Sequence, residues 1–179
     1  MKVTLRKFNA SDIPNKVRWI NDPRNNTFLH YDLPLEVEKT QKWYENVKDR
    51  TDRYDAIIEV DGIPVGLIGL LCIDLKNKKA EYYVSMGEHS YKGKGIAYEA
   101  SKLILEYAFC KLNINKVYLN VDSENIAACG LYEKIGFICE GVFKQDLWHH
   151  GKFIDRKRYA ILCSKYLSKY ENIGDFQNV

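Results

Sequence analysis

Apolar and polar positions alternate with two periods along this chain, and the switches between them mark its elements. Val3 to Phe8 reads as a strand. Ser11 is placed to cap a short helix through Trp19 and Ile20, which stops before Pro23 because the residue preceding a proline disfavours the helical region. From Leu35 to Asp49, Val37, Thr40, Trp43, Tyr44 and Val47 recur at helical spacing and line one stripe. A strand period then takes over. Tyr54 to Val60 and Pro64 to Leu75 are strands joined across Asp61-Gly62, and Lys79 to Met86 returns as another after Lys76-Asn77-Lys78. From Gly95 to Leu112 the helical period resumes, with Ala97, Ala100, Leu103, Ile104, Tyr107 and Ala108 on one face. Lys116 to Val121 is a strand feeding a helix from Asn125 to Ile135. Cys139 to Trp148 and Phe153 to Cys163 form a hairpin across His149-His150-Gly151-Lys152, followed by a short Lys/Tyr segment and a frayed tail, 171–179. Antiparallel strands followed by a βαβα unit predict an α/β fold, a mixed sheet of about seven strands with flanking helices, built as one domain over residues 1–170.

All four prolines precede residue 65 and all eleven glycines follow residue 61, so the permissive backbone positions gather in the second part of the chain. The most telling of them lie in Ser85-Met86-Gly87-Glu88-His89-Ser90-Tyr91-Lys92-Gly93-Lys94-Gly95-Ile96-Ala97, where a strand runs into a glycine-spaced turn that opens a helix. Glycine lets the backbone approach an anion, and the first N–H groups of a helix have no intrahelical partner and sit at its positive end. Such a turn binds a pyrophosphate. A P-loop is excluded because it needs two glycines five positions apart followed by Lys and Ser or Thr. A dinucleotide fingerprint needs a small residue three positions after Gly95, where Tyr98 stands. On the two glycines alone, a plain surface turn capping a helix fits equally well.

Composition narrows the setting. With 179 residues, 46% hydrophobic and 28% charged, the chain has ordinary globular usage and enough length for a sizeable core. A net charge of +3, scattered along the chain, is too mild for a nucleic-acid surface but suits an anionic ligand. Met1 to Arg6 lacks the apolar core of a signal peptide, and the longest apolar run, Ile63 to Ile73, is too short to cross a bilayer, so a cytoplasmic protein without a membrane partner is expected. Five cysteines without a C-x-x-C pair point to reduced thiols. His149 and His150, at a hairpin tip ending in Gly151, read as a turn and not a metal site, and no metal is expected.

A second segment decides between the readings of the glycine turn. Val117-Tyr118-Leu119-Asn120-Val121, followed by Asn125-Ile126-Ala127-Ala128-Cys129-Gly130-Leu131-Tyr132-Glu133-Lys134-Ile135-Gly136-Phe137, joins Lys92 to Ala97 in the order and at the spacing of the GNAT superfamily of N-acetyltransferases, which this chain resembles over most of its length and most strongly from Ala80 to Phe137. The family's phosphate turn reads Arg or Gln, two residues, Gly, one residue, then Gly or Ala. Lys92 departs from its first position, at little cost because the backbone does most of the binding. The resemblance implies acetyl-CoA as cosubstrate, its pyrophosphate on Lys92, Gly93, Lys94, Gly95, Ile96 and Ala97. It implies that the backbone of Val84, Ser85 and Met86 holds the pantetheine arm where the strand splays at a bulge, and that Asn125 and Ala128 lie beside the cofactor. An Asn capping the helix would look the same, and both roles fit Asn125.

Acetyl transfer to an amine needs a proton removed from the amine, stabilisation of charge on the thioester oxygen, and a proton for the departing thiolate. Tyr132 resembles the family's general-acid tyrosine, and a phenol is protonated at neutral pH; outside this motif it would read as a core aromatic between Ala128 and Ile135. Glu81 shares a strand face with Tyr83 and Ser85 and resembles the general base of several members, acting through water, with a solvated strand carboxylate as the plain alternative.

The acceptor is a small-molecule amine, and two resemblances bear on it. Trp19-Ile20-Asn21-Asp22-Pro23 is similar to a signature in acetyltransferases of nucleotide-linked 4-amino sugars, which places Trp19 at the acceptor; the diphosphate of such a sugar would be drawn to Arg18 or Arg24, and the slightly basic charge of the chain, a poor match for a polycation, ranks it first. Ala80 to Ile161, with Phe143-Lys144-Gln145-Asp146 and Phe153-Ile154-Asp155-Arg156, looks equally like spermidine and ribosomal-protein alanine N-acetyltransferases. A non-catalytic acyl-CoA sensor would keep Gly93, Gly95 and Asn125 but lose Tyr132. A monomer or homodimer is expected.

Overall fold

The computed structural model describes residues 1–170; the tail expected at 171–179 lies outside the described residues. In chain order the elements are β1 (Val3–Lys7), α1 (Ile13–Asn21), α2 (Val37–Val47), β2 (Tyr54–Val60), β3 (Ile63–Asp74), β4 (Lys79–Met86), α3 (Ile96–Glu106), β5 (Lys116–Asp122), α4 (Ile126–Ile135), β6 (Ile138–His149), β7 (Lys152–Leu162) and α5 (Cys163–Tyr170). The strands form one seven-stranded mixed sheet in the order β1-β2-β3-β4-β5-β7-β6. Only β4 and β5 run parallel; every other neighbouring pair is antiparallel.

Local chemistry adjusts several expected boundaries. The chain enters α1 through a 3-10 turn, Ala10–Asp12, capped by Asn9 and not by Ser11. The Asn9 side chain accepts from the Ser11 N–H, and the Asp12 carboxylate accepts from the Asn9 N–H. Pro14 sits in the first turn of α1, where no backbone donor is needed. Regular α3 stops at Glu106 instead of Leu112, because Tyr107–Lys111 widen into a π turn. The Lys/Tyr segment after β7 coils as α5.

Strand alternation sorts side chains onto two faces. Ala56, Ile58, Ala80, Tyr82, Val117 and Leu119 point to one side, where they pack on Ala100 and Ile104 of α3, Tyr132 and Ile135 of α4 and Tyr166 of α5. On the other side Ile57 and Leu67 meet Ile13, Trp19 and Ile20 of α1 and Trp43 and Tyr44 of α2. The result is three layers, helices over both faces of the sheet. Trp19 is 2% exposed, and its ring lies over Gly87 so closely that a Cβ there would sit 2.2 Å from the indole.

The feature that positions the site is a notch. β4 and β5 pair only from Lys79↔Lys116 to Glu81↔Tyr118 and then diverge, while β4 stays paired with β3 out to Gly66↔Met86. Residues 82–86 therefore turn one edge away from β3 with no strand beside it. The bulge expected at Val84–Met86 is absent: the β3–β4 register is unbroken from Glu81 to Met86, and its irregularity falls at Leu71/Asp74. Divergence of two parallel strands opens the sheet here without a kink.

Candidate active site

Two groups flank the notch from opposite faces of the sheet. Tyr132 projects from α4, 7% exposed, against Tyr82, Phe137 and Tyr159 with ring centroids 6.0–6.1 Å away. Burial pushes its phenol well above the usual value, so it holds its proton throughout the neutral and mildly alkaline range. Glu81 leaves β4 on the other face at the last paired position, where the Asn120 amide donates to its Oε1 at 3.1 Å. A protonated phenol on one side and a carboxylate on the other are the group types that can give and take a proton in acyl transfer.

The glycine turn stands at the open end of β4. After a 3-10 turn, His89–Tyr91, the chain passes Gly93 (φ +75°) and Gly95 (φ +78°) into α3. Both glycines occupy the left-handed region, and a Cβ at either would point into open space. No side chain caps the N–H groups that open α3, and Lys92 and Lys94 precede them, which fits a pyrophosphate. Lys92 is anchored: its ammonium donates to Asn25 Oδ1 at 2.6 Å, while the Asn25 amide donates to the carbonyls of Trp19 and Gly87 at 3.0 and 2.9 Å. Burial, together with nearby Arg24, holds the Lys92 ammonium below its usual value, with Asp22 opposing. On α4, Asn125 Oδ1 accepts from the Ala128 N–H at 3.2 Å, so Asn125 is the N-cap and the Ala128 N–H is already bonded.

One expectation for the acceptor is corrected. Trp19 is sealed in the packing between α1 and Gly87, its indole N–H donating to Glu88, so it is a core residue with no face left for an acceptor. Arg24 is exposed, ion-paired to Asp22, and its carbonyl lies against the Lys92 ammonium, which puts it beside the phosphate turn. The cavity on the Glu81 face is lined by other residues. It measures about 240 Å³ between α1, α2 and the sheet, with Phe8, Lys16, Trp43, Arg53, Asp55 and Tyr83 among its walls and Val84 and Ser85 at its β4 side. Further along this face, His30 Nε2 lies 2.8 Å from Asp122 Oδ1 at the end of β5, tying the α1–α2 connection to the notch.

Lys16 was legible as an oddity: with Ile13 and Ile20 it occupies the apolar stripe of α1. Asp55, Asn25 and His30 carry no such signal, because their roles arise from contacts 28 to 92 residues away along the chain.

Replacing Glu81 with Gln keeps the Asn120 contact and removes the carboxylate that the resemblance casts as the general base. Activity that rises with pH in the wild type is expected to become flat across that limb, read as kcat/KM against pH; an unaltered profile would make Glu81 a structural strand carboxylate.

Residues 2–138 match the family model described as acetyltransferase (GNAT) domain. The spermidine N(1)-acetyltransferase of Escherichia coli is 30% identical over 177 residues, covering 96% of this chain and 92% of the relative. A crystal structure of spermidine N-acetyltransferase from Vibrio cholerae, in complex with CoA and spermine, superposes with a TM-score of 0.85 at 29% identity, covering 92% of this chain and 98% of that one. A dodecameric structure of the Vibrio cholerae enzyme gives a TM-score of 0.80 at 27% identity, covering 93% and 97%. Among the described residues no helix is long and apolar enough to cross a membrane, and no group of three or more His, Cys, Asp or Glu side chains could hold a metal ion.

Proposed function

The chain belongs to the GNAT acetyltransferase family and is an acetyl-CoA-dependent N-acetyltransferase, and from that premise we propose that its acceptor is a polyamine of the spermidine type. The spermidine N-acetyltransferases of Escherichia coli and Vibrio cholerae align over nearly the whole chain, which supports this acceptor over the nucleotide-linked amino sugar that Trp19 and Arg24 suggested. The Glu81 carboxylate, on the acceptor face at the notch, gives an alkyl ammonium a favourable partner.

In this reading the pyrophosphate lies on Gly93, Gly95 and the α3 N–H groups, and the arm follows the free edge of residues 82–86. Acetyl-CoA supplies an activated acyl carbon. The amine enters from the Glu81 face and loses its proton toward Glu81, directly or through water; Tyr132 gives its proton to the departing sulfur from the opposite face. Bringing the two reactants together in one notch removes the entropy cost of their encounter, so direct attack needs no covalent enzyme intermediate. Assembly into a larger oligomer, as in the dodecameric relative, fits the same reading.

The acceptor is tested by comparing kcat/KM for spermidine, a nucleotide-linked 4-amino sugar and an alanine-terminated peptide, with thiol release as the readout. Spermidine is expected to exceed both by at least about tenfold. Faster turnover of either competitor would replace the polyamine while leaving the acetyltransferase assignment intact.

A further inference from the structure

Lys16 is the one charged group in the cavity wall whose charge is not matched. The side chain is only 8% exposed, its ammonium lies 3.3 Å from the Trp43 ring centroid and 5.8 Å from that of Phe8, and among the described residues no carboxylate or hydrogen-bond acceptor meets it. The other charges are spent on each other. Arg53 grips Asp55 through two nitrogens at 2.6 and 2.9 Å, and the Tyr83 hydroxyl donates to the same carboxylate at 2.6 Å. Burial without a counter-ion is costly for an ammonium, and it pulls Lys16 down to about 8, with Asp55 opposing and Arg53 assisting. The contact with the Trp43 face recovers part of that cost.

We propose that this cavity is a subsite for a small organic carboxylate, its anionic end on Lys16 and its apolar body against Phe8, Trp43 and Leu29. The volume of about 240 Å³ admits a molecule with a single six-membered ring. The subsite goes beyond the polyamine reading, because a second ammonium here would face Lys16 and Arg53 with Asp55 already committed. Cationic ends of an acceptor therefore keep to the Glu81 side of the notch. The carboxylate has two sources, the acceptor amine itself or a separate ligand that modulates it.

The test uses one apolar body in three forms: 4-methylbenzoate, 4-(aminomethyl)benzoate and benzylamine. By calorimetry 4-methylbenzoate is expected to bind the wild type, with proton uptake near pH 8 as Lys16 regains its charge. Lys16→Met should weaken binding at least about tenfold and abolish the proton uptake, while Lys16→Arg retains most of the affinity. Unchanged far-UV circular dichroism and acetyl-CoA affinity establish that Lys16→Met folds. If the acceptor brings the carboxylate, 4-(aminomethyl)benzoate has a KM at least about tenfold below that of benzylamine, and Lys16→Met erases the difference. If a separate ligand brings it, 4-methylbenzoate shifts the KM for spermidine in the wild type and not in Lys16→Met. Failure of 4-methylbenzoate to bind, or equal binding to wild type and Lys16→Met, overturns the subsite. Failure of spermidine as acceptor alone overturns only the polyamine reading.

Discussion

Tyr132→Phe is expected to lower kcat by about 10²- to 10⁴-fold, the usual worth of a positioned proton donor, with acetyl-CoA affinity nearly unchanged. The substitution keeps the ring that packs on Tyr82, Phe137 and Tyr159 and deletes only the hydroxyl, so the fold has no reason to suffer. Because burial raises the Tyr132 phenol, its own ionisation contributes no alkaline decline to the wild-type profile in the neutral and mildly alkaline range. Single-turnover measurement of thiol release separates this loss from any effect on binding. A kcat within threefold of wild type would reduce Tyr132 to a core aromatic.

Gly95→Val acts on the other substrate site and should be as severe in binding as Tyr132→Phe is in chemistry. At φ +78° a β-branched residue is strained, and its side chain would fill open space at the entry to α3. Loss of even one charge-assisted hydrogen bond costs roughly 1.5–3 kcal/mol, and two such losses would weaken acetyl-CoA binding by about a hundredfold or more. The measurement is calorimetric titration of acetyl-CoA alongside far-UV circular dichroism. Native-like secondary structure with unchanged affinity would remove the turn from the site.

Most of the elements were legible because they rest on local period and turn chemistry. β2 spans Tyr54–Val60 and β4 spans Lys79–Met86, as alternation and Asp61-Gly62 predict, and the glycine turn leads into α3 at Ile96. A splay of β4 was legible only through the resemblance, since the notch depends on where pairing between β4 and β5 stops, a property of residues 37 positions apart (Lys79 and Lys116) that neither strand carries alone. A local signature misled at Trp19. Its neighbours up to Pro23 resemble a substrate motif, yet the indole fills the volume that Gly87 leaves open, a contact set by tertiary packing. Asn125 shows the opposite case, where the helix-cap chemistry visible in the sequence is the contact the fold displays. Lys16 marks the remaining gap: a charge on an apolar stripe is visible in the sequence, but that Arg53 and Asp55 are already paired is visible only in the fold.

Acyl transfer through the notch is tested most directly by counting products. Wild-type protein mixed with acetyl-CoA and spermidine is expected to release one free thiol for each N-acetylspermidine found by mass spectrometry, with Tyr132→Phe slowing both equally. Acetyl-CoA that binds yet releases no thiol with spermidine or any other primary amine would contradict the assignment of this site to acetyl transfer.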